Sequence, residues 1–275
     1  VALGVALGIA AFGLLGGIVL AATGAWAALG RWLGGRLDRR NFGHAVGLVG
    51  LVTFCFLAVA PLLALGGEAP LLRAVADDPD ALADERGDWG ELLDIYYELA
   101  WTVPLAYMLV GVPALRGLRA GLARLGVGPL RRRHVPLTLG LTAVLLLVGT
   151  AVDETTVIVW EALDWPTTDP ELVGELFGAA LTPTGAVASA IAAGLGEELL
   201  VRGALQPRFG WLLPNLAFTA SHAYQYGPDA LVSVFVLGAI LAGIRARWGT
   251  SLSIVVHILY DLVLFLIPAL EWPGF

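Results

Sequence analysis

The stretch that decides the fold class is TSLSIVVHILYDLVLFLIPAL, residues 250–270. Nearly all of it is apolar, and roughly 20 apolar residues suffice for a helix to cross the hydrocarbon core of a membrane. Two ionisable residues, His257 and Asp261, interrupt the run four positions apart and thus share one helix face. The stretch therefore predicts a membrane-spanning helix with a polar spot on one side.

The composition of the whole chain agrees with a protein dissolved in lipid. Of its 275 residues, 58% are hydrophobic and 14% are charged, too few polar groups to cover a soluble domain. All 16 basic residues are arginines and they are dispersed, which excludes nucleic acid as a partner and favours the lipid bilayer. The single cysteine, Cys55, excludes a disulfide framework and a cysteine metal cluster.

Eight apolar segments are long enough, or nearly so, to span a membrane as helices. The first lacks the basic start of a secretory signal peptide, so we interpret it as a span; the sixth is short. The chain is therefore predicted to be an all-α, polytopic transmembrane helical bundle with about eight spans, and 1–275 to be a single membrane domain. The predicted spans are 1–29, 42–65, 97–115, 136–152, 183–205, 211–226, 228–244 and 250–270.

The connections between the spans alternate in charge. Arginines follow the odd-numbered spans, whereas aspartate and glutamate crowd the connections 66–94 and 153–182. Because basic loops stay in the cytoplasm, this pattern predicts a multi-pass protein of the cell membrane with both termini outside. The arginines of the basic connections are Arg31, Arg36, Arg39, Arg40, Arg116, Arg119, Arg124, Arg131, Arg132, Arg133, Arg202, Arg208, Arg245 and Arg247.

Ionisable groups inside a span are costly, so each one needs a function or a partner. Three helices in the last third of the sequence each carry a pair of polar or aromatic side chains at i,i+4 spacing. Glu197 precedes the first pair and points about 100 degrees away from Glu198 around the helix. We therefore expect Glu198 to be ion-paired and Glu197 to be free for chemistry. The three pairs are Glu198 with Arg202, Phe218 with His222, and His257 with Asp261.

This set of residue types favours hydrolysis of a carbonyl compound. Glu197 suits a general base that takes a proton from a water molecule also held by His222. His257 would stabilise the oxyanion that forms on the attacked carbonyl group. No obvious nucleophile accompanies them, because Ser221 adjoins His222 and neighbouring residues diverge on a helix.

Three motifs on these helices, GEELLVRG at 196–203, FTASH at 218–222 and HILYD at 257–261, resemble those of the CPBP family of intramembrane endopeptidases. This family includes the CAAX-processing proteases, which trim prenylated proteins, and prokaryotic relatives linked to bacteriocin processing and immunity. The resemblance covers about 180–270 and implies a catalytic core there, with a membrane-associated protein or peptide as substrate. It implies that Glu197 and His222 activate water, and that His257 and the residue at Asp261 line the oxyanion site.

Two departures from the family pattern lead to expectations of their own. Asp261 stands where the best-known members have asparagine, and an ionised aspartate would repel an oxyanion. We therefore expect Asp261 either to be protonated or to orient His257. The link between Arg202 and Phe218 is short, which compresses the sixth span.

Other functions and a metal are also compatible with the sequence. A proton-coupled transporter could use the same residues as a relay, although the polar groups occupy one half of the chain rather than repeated halves. A non-catalytic scaffold or immunity protein of the same fold would also retain the motifs.

Zinc could bind through Glu197, His222 and His257. Because no HExxH helix is present, we favour a water molecule activated by Glu197 without a metal or other cofactor.

Overall fold

The computed structural model describes residues 42–78 and 88–271; the first predicted span and the arginines that follow it lie outside them. Within these two ranges every regular element is a helix. We number the α-helices in chain order and treat the continuous helix 183–209 as one element, α7. Their bounds are α1 Phe42–Ala64, α2 Pro70–Asp77, α3 Asp88–Leu109, α4 Leu118–Arg124, α5 Val135–Ala162, α6 Pro170–Leu176, α7 Pro183–Phe209, α8 Leu212–Ser221, α9 Pro228–Trp248 and α10 Thr250–Glu271.

Five of these helices, α1, α5, α7, α9 and α10, are long and apolar enough to cross a membrane. The all-α prediction is thus confirmed for the described residues, but the count of about eight spans is not. The third predicted span corresponds to α3, whose first half carries several acidic residues. The sixth corresponds to α8, whose 10 residues extend only about 15 Å. The assignment of 1–275 to a single domain stays a prediction.

The local sequence determines where the helices begin and end. The hydroxyl of Thr182 accepts a hydrogen bond from the N–H of Gly185 at 3.0 Å, which caps α7, and Pro183 occupies the first turn. Helix α9 also begins with a proline, Pro228. It ends at Trp248, and the next residue, Gly249, has a φ of +93°, which favours glycine. Since α10 starts at the next residue, α9 and α10 form a tight helical hairpin.

Helix α7 is the central helix of the bundle. The buried share of its apolar stretch is 56%, whereas the buried share of the apolar stretch is 22–33% in the other four candidate spans. It packs against α3 and α10, while α5 packs against α9 and α10, and α1 packs against α8. Small residues let the neighbouring helices approach closely, as is usual in membrane proteins. The buried small residues of α7 are Gly185, Ala186, Ala188, Ala190, Ala192, Gly194 and Gly196.

The two ends of the bundle differ in charge. At the arginine end, defined by the connections 110–134 and 245–249, the N–H of Thr250 donates a hydrogen bond to the carbonyl oxygen of Gly126 at 3.1 Å. At the acidic end, defined by the connection 163–182 and the turn 222–227, Asp229 accepts hydrogen bonds from the N–H and hydroxyl of Thr168, at 2.7 and 2.6 Å. The assignment of the arginine end to the cytoplasm stays a prediction.

Candidate active site

The motif GEELLVRG lies where α7 changes its winding. Residues Pro183–Glu197 are α-helical, Glu198–Leu205 form a π-helix, and Gln206–Phe209 return to the α-helical form. π-Helical turns are rare and occur frequently at functional sites. The transition falls between the two adjacent glutamates, so Glu197 ends the regular helix and Glu198 begins the wider one.

Glu198 is fully buried and contacts three side chains. Its Oε1 lies 3.3 Å from Nη1 of Arg202 and 3.1 Å from Nδ1 of His257. Its Oε2 accepts a hydrogen bond from the hydroxyl of Ser253. The expected ion pair with Arg202 is therefore present, and because His257 and Ser253 belong to α10, Glu198 ties α7 to α10.

Arg202 connects α7 to the next two helices. Its Nη2 donates a hydrogen bond to the carbonyl oxygen of Gly238 on α9 at 3.0 Å and reaches Oδ1 of Asn215 on α8 at 3.5 Å. Its guanidinium carbon lies 4.3 Å from the ring centre of Phe218, a cation–π contact. With 1% of its surface exposed, Arg202 does not reach water.

Glu197, His222 and His257 converge from three helical segments. Oε1 of Glu197 lies 3.7 Å from Nε2 of His222, and Oε2 of Glu197 lies 3.8 Å from Nε2 of His257. These separations are too long for direct hydrogen bonds, but a water molecule about 2.8 Å from each group would bridge either pair. The side chains of Glu197 and His222 are 14% and 18% exposed, so the carboxyl group of Glu197 is more accessible than that of Glu198.

The hairpin of α7 and α8 returns His222 to the level of Glu197. From Glu197 the chain runs roughly 18 Å along α7 to Phe209, and α8 then extends back by about 15 Å. The turn between them contains Gly210, whose φ of +79° is unfavourable for other residues. The short link therefore leads into a helix of only 10 residues, and this length is sufficient to bring His222 to Glu197.

The ring of His222 is held by the turn before it. Its Nδ1 lies 2.8 Å from the carbonyl oxygen of Phe218, and because a carbonyl oxygen only accepts, Nδ1 carries the proton. In the neutral ring Nε2 is then an acceptor, and it faces Glu197. The ring also contacts Phe218 edge-on at 4.7 Å and stacks on Tyr226 at 6.1 Å between ring centres. The predicted pair of Phe218 and His222 is thus present.

The predicted pair of His257 and Asp261 is present as well. Oδ2 of Asp261 lies 3.4 Å from Nε2 of His257, while Nδ1 of the same ring faces Glu198. Both ring nitrogens therefore face carboxyl oxygens, and a histidine donates from both nitrogens only as the imidazolium cation. Of the two expectations for Asp261, this contact favours the one in which Asp261 orients His257.

Three residues near the site were not identified from the sequence. The carboxyl group of Glu98, on α3, interacts with that of Glu197. The hydroxyl of Ser253 donates a hydrogen bond to Glu198. Ser253 precedes His257 by four residues, and this spacing could have indicated that both lie on the same face of the helix. The side-chain amide of Asn215 donates a hydrogen bond to the carbonyl oxygen of Phe235 at 2.9 Å, and this contact had no sequence signal.

The site contains glutamate and histidine side chains, and both residue types bind zinc in proteins. Among the residues that the structure describes, however, no group of three histidine, cysteine, aspartate or glutamate side chains is arranged to hold a metal ion. His257 also has carboxyl groups close to both of its ring nitrogens. A mechanism that needs no metal stays our prediction.

Residues 179–263 match the family model described as type II CAAX prenyl endopeptidase, Rce1-like. No curated protein and no solved structure matches the chain. The matched segment begins just before α7 and ends within α10, so it contains all three motifs. Residues 179–263 are therefore Rce1-like, and the resemblance to the CAAX-processing proteases that the motifs indicated is confirmed.

Proposed function

We propose that the protein is an intramembrane endopeptidase that hydrolyses a peptide bond of a membrane-associated protein or peptide through a water molecule activated by Glu197. The observation that carries the proposal is the convergence of Glu197, His222 and His257, with separations of 3.7 and 3.8 Å. Glu197 lies near the middle of a candidate membrane span, which suits a reaction inside the bilayer. The match to an endopeptidase family supports peptide hydrolysis rather than transport.

The reaction begins with a water molecule between Oε1 of Glu197 and Nε2 of His222. Because Nδ1 of His222 donates to a backbone carbonyl group, Nε2 can accept one hydrogen bond from the water. Glu197 takes a proton from the water, and the oxygen attacks the carbonyl carbon of the substrate. The C–O bond forms as the carbonyl π electrons move to the oxygen, which becomes the oxyanion.

In this mechanism His257 stabilises that oxyanion. Its Nε2 faces Glu197 across 3.8 Å, and donors aimed at the developing charge commonly supply a large part of the catalytic effect. Asp261 orients the ring through its 3.4 Å contact with Nε2 before the reaction, and the oxyanion takes its place as the acceptor of the single N–H there. Glu197 then returns its proton to the leaving nitrogen, the C–N bond breaks, and the products are a carboxylic acid and an amine.

The supporting residues hold this arrangement without contacting the substrate. Glu198 orients His257 from the Nδ1 side, and Arg202 neutralises the buried charge of Glu198. Phe218 lies between Arg202 and His222, with its ring in contact with both. Together they hold the rings of the two histidines beside Glu197.

Cleavage by the purified protein tests the proposal. The wild type and Glu197→Gln would be reconstituted in lipid nanodiscs with a quenched fluorescent peptide ending in a prenylated CAAX-type sequence, and with the same peptide lacking the prenyl group. We expect the wild type to generate a new carboxyl terminus, identified by mass spectrometry, and Glu197→Gln to be at least about 100-fold slower. A matched control, Glu161→Gln at an exposed position, should cleave like the wild type.

Two results would contradict the proposal. The first is a Glu197→Gln variant as active as the wild type. The second is a wild type that cleaves neither probe nor any member of a library of membrane-inserted peptides. Cleavage of the prenylated probe alone would assign a lipidated substrate, and cleavage of both probes would assign a broader membrane peptide class.

A further inference from the structure

One acidic side chain at the site belongs to none of the three motifs. Glu98 lies on α3, outside the segment 179–263 that matches the endopeptidase family. Its side chain is partly buried, and its carboxyl group interacts with the carboxyl group of Glu197. The mechanism proposed above gives this residue no role.

A close contact between α3 and α7 positions Glu98. A Cβ atom added to Gly196 would lie 2.4 Å from Oγ1 of Thr102, so only glycine allows the helices to approach this closely. Thr102 is fully buried, and its hydroxyl donates a hydrogen bond to the carbonyl oxygen of Glu98, one turn earlier, at 2.7 Å. Since Gly196 directly precedes Glu197, the contact places Glu98 beside Glu197.

The two carboxyl groups can form a hydrogen bond only if one of them carries a proton, because a carboxylate has no donor. Among the described residues, Oε2 of Glu197 is buried and has no hydrogen-bond donor. The other charged groups near Glu98 are His257 and Asp261 on α10. With that proton on Glu98, the pair supplies the donor that the carboxylate of Glu197 otherwise lacks.

We propose that Glu98 is a positioning residue, which holds the carboxylate of Glu197 by a hydrogen bond and keeps it directed toward His222 and the attacking water. This inference rests on the proposed function, because it concerns the orientation of Glu197 as the general base. Glu98 acts through Glu197 and does not contact the substrate.

Two substitutions separate positioning from simple packing. Glu98→Gln keeps the size of the side chain and an N–H donor toward Glu197, whereas Glu98→Leu fills the space without a donor. Groups that orient metal-binding side chains are typically worth about 10- to 100-fold in activity, and we expect the same scale for a group that orients a general base. We expect Glu98→Leu to lose kcat by that factor with little change in KM, and Glu98→Gln to stay within about threefold of the wild type. Glu161→Leu, the same change at an exposed position, should have no effect.

The outcomes distinguish this inference from the proposed function. If the wild type is active and Glu197→Gln is inactive, but Glu98→Leu cleaves like the wild type or Glu98→Gln loses as much activity as Glu98→Leu, the positioning role is wrong and the proposed function stands. If the wild type cleaves nothing, both are wrong.

Thermal unfolding tests the contact without a substrate. The melting temperatures of the wild type, Glu98→Leu, Glu197→Leu and the double variant form a double-mutant cycle, because a leucine at either position removes the hydrogen bond. Non-additive shifts support a direct interaction between the two carboxyl groups. Additive shifts would overturn the inference even if activity is lost.

Discussion

At the scale of single residues, the adjacent carboxyl groups of Glu197 and Glu198 have different surroundings. Glu198 is enclosed by Arg202, Ser253 and His257, all within contact distance of its two oxygens. Glu197 faces two histidine nitrogens at distances that suit a bridging water rather than a direct bond. The first environment favours a fixed buried charge, and the second favours a group that exchanges a proton with water.

The ion pair of Glu198 and Arg202 should contribute mainly to stability. Glu198→Gln leaves Arg202 without its charged partner, and Arg202 is too buried to reach water. Breaking a buried pair in this way costs roughly 3–5 kcal/mol. We expect Glu198→Gln to melt earlier in detergent than the wild type, and the added change Arg202→Met to restore part of the loss. A Glu198→Gln variant that melts like the wild type would contradict this account.

The sequence predicted part of this site, for a physical reason. Residues four apart lie on one face of a helix, so the pairs at Glu198, Phe218 and His257 could be recognised locally. Glu98 was missed because its relation to Glu197 depends on the packing of two helices about 100 residues apart in the chain, which spacing within one helix does not report. The contact between Arg202 and the carbonyl oxygen of Gly238 was missed for the same reason, because it also joins two different helices.

At the scale of helices, glycine contacts set the distances at which α7 meets its neighbours. A Cβ atom on Gly194 would lie 2.6 Å from Cγ1 and 2.8 Å from the backbone nitrogen of Ile258. The backbone of α10 can make room for such an atom only if the whole helix moves. The absence of a side chain at Gly194 therefore sets the distance between α10 and α7. His257 adjoins Ile258, so the same contact also positions the candidate oxyanion donor.

We therefore expect Gly194→Ala to separate α7 from α10. Overpacking of this kind typically costs about 1–3 kcal/mol, so the variant should melt earlier and lose activity. Gly140→Ala in α5 is the matched control, since nothing lies within 4 Å of its added methyl group and alanine is the better helix former. It should melt at or above the temperature of the wild type, and equal melting of the two variants would refute the role given to Gly194.

At the scale of the whole molecule, hydropathy predicted the long helices better than the short ones. The candidate spans α1, α5, α7, α9 and α10 each correspond to one predicted apolar segment. Helix α8 differs because it packs against α1, α7 and α9, and a helix enclosed by protein need not cross the bilayer. The length of an apolar segment cannot distinguish these two cases. Among the residues that the structure describes, α3 and α8 are the predicted spans without a matching candidate, and the predicted span 1–29 lies outside these residues.

The separation of charge between the two ends predicts how the protein is oriented. The positive-inside rule places the arginine end in the cytoplasm. In a background with Cys55 replaced by alanine, a cysteine at exposed Glu175 should react with a membrane-impermeant maleimide on intact cells. A cysteine at exposed Arg131 should react only after permeabilisation. The reverse pattern would show that the bundle is inserted the other way.

The measurement that tests the central claim most directly is cleavage by metal-free protein. Wild type and Glu197→Gln would be stripped with a strong chelator and assayed in metal-free buffer, with melting curves to show that both remain folded. If Glu197 activates water without a metal, the wild type keeps its activity and Glu197→Gln is at least about 100-fold slower. If the stripped wild type is inactive and stoichiometric zinc restores it, Glu197, His222 and His257 are metal ligands and the account is wrong.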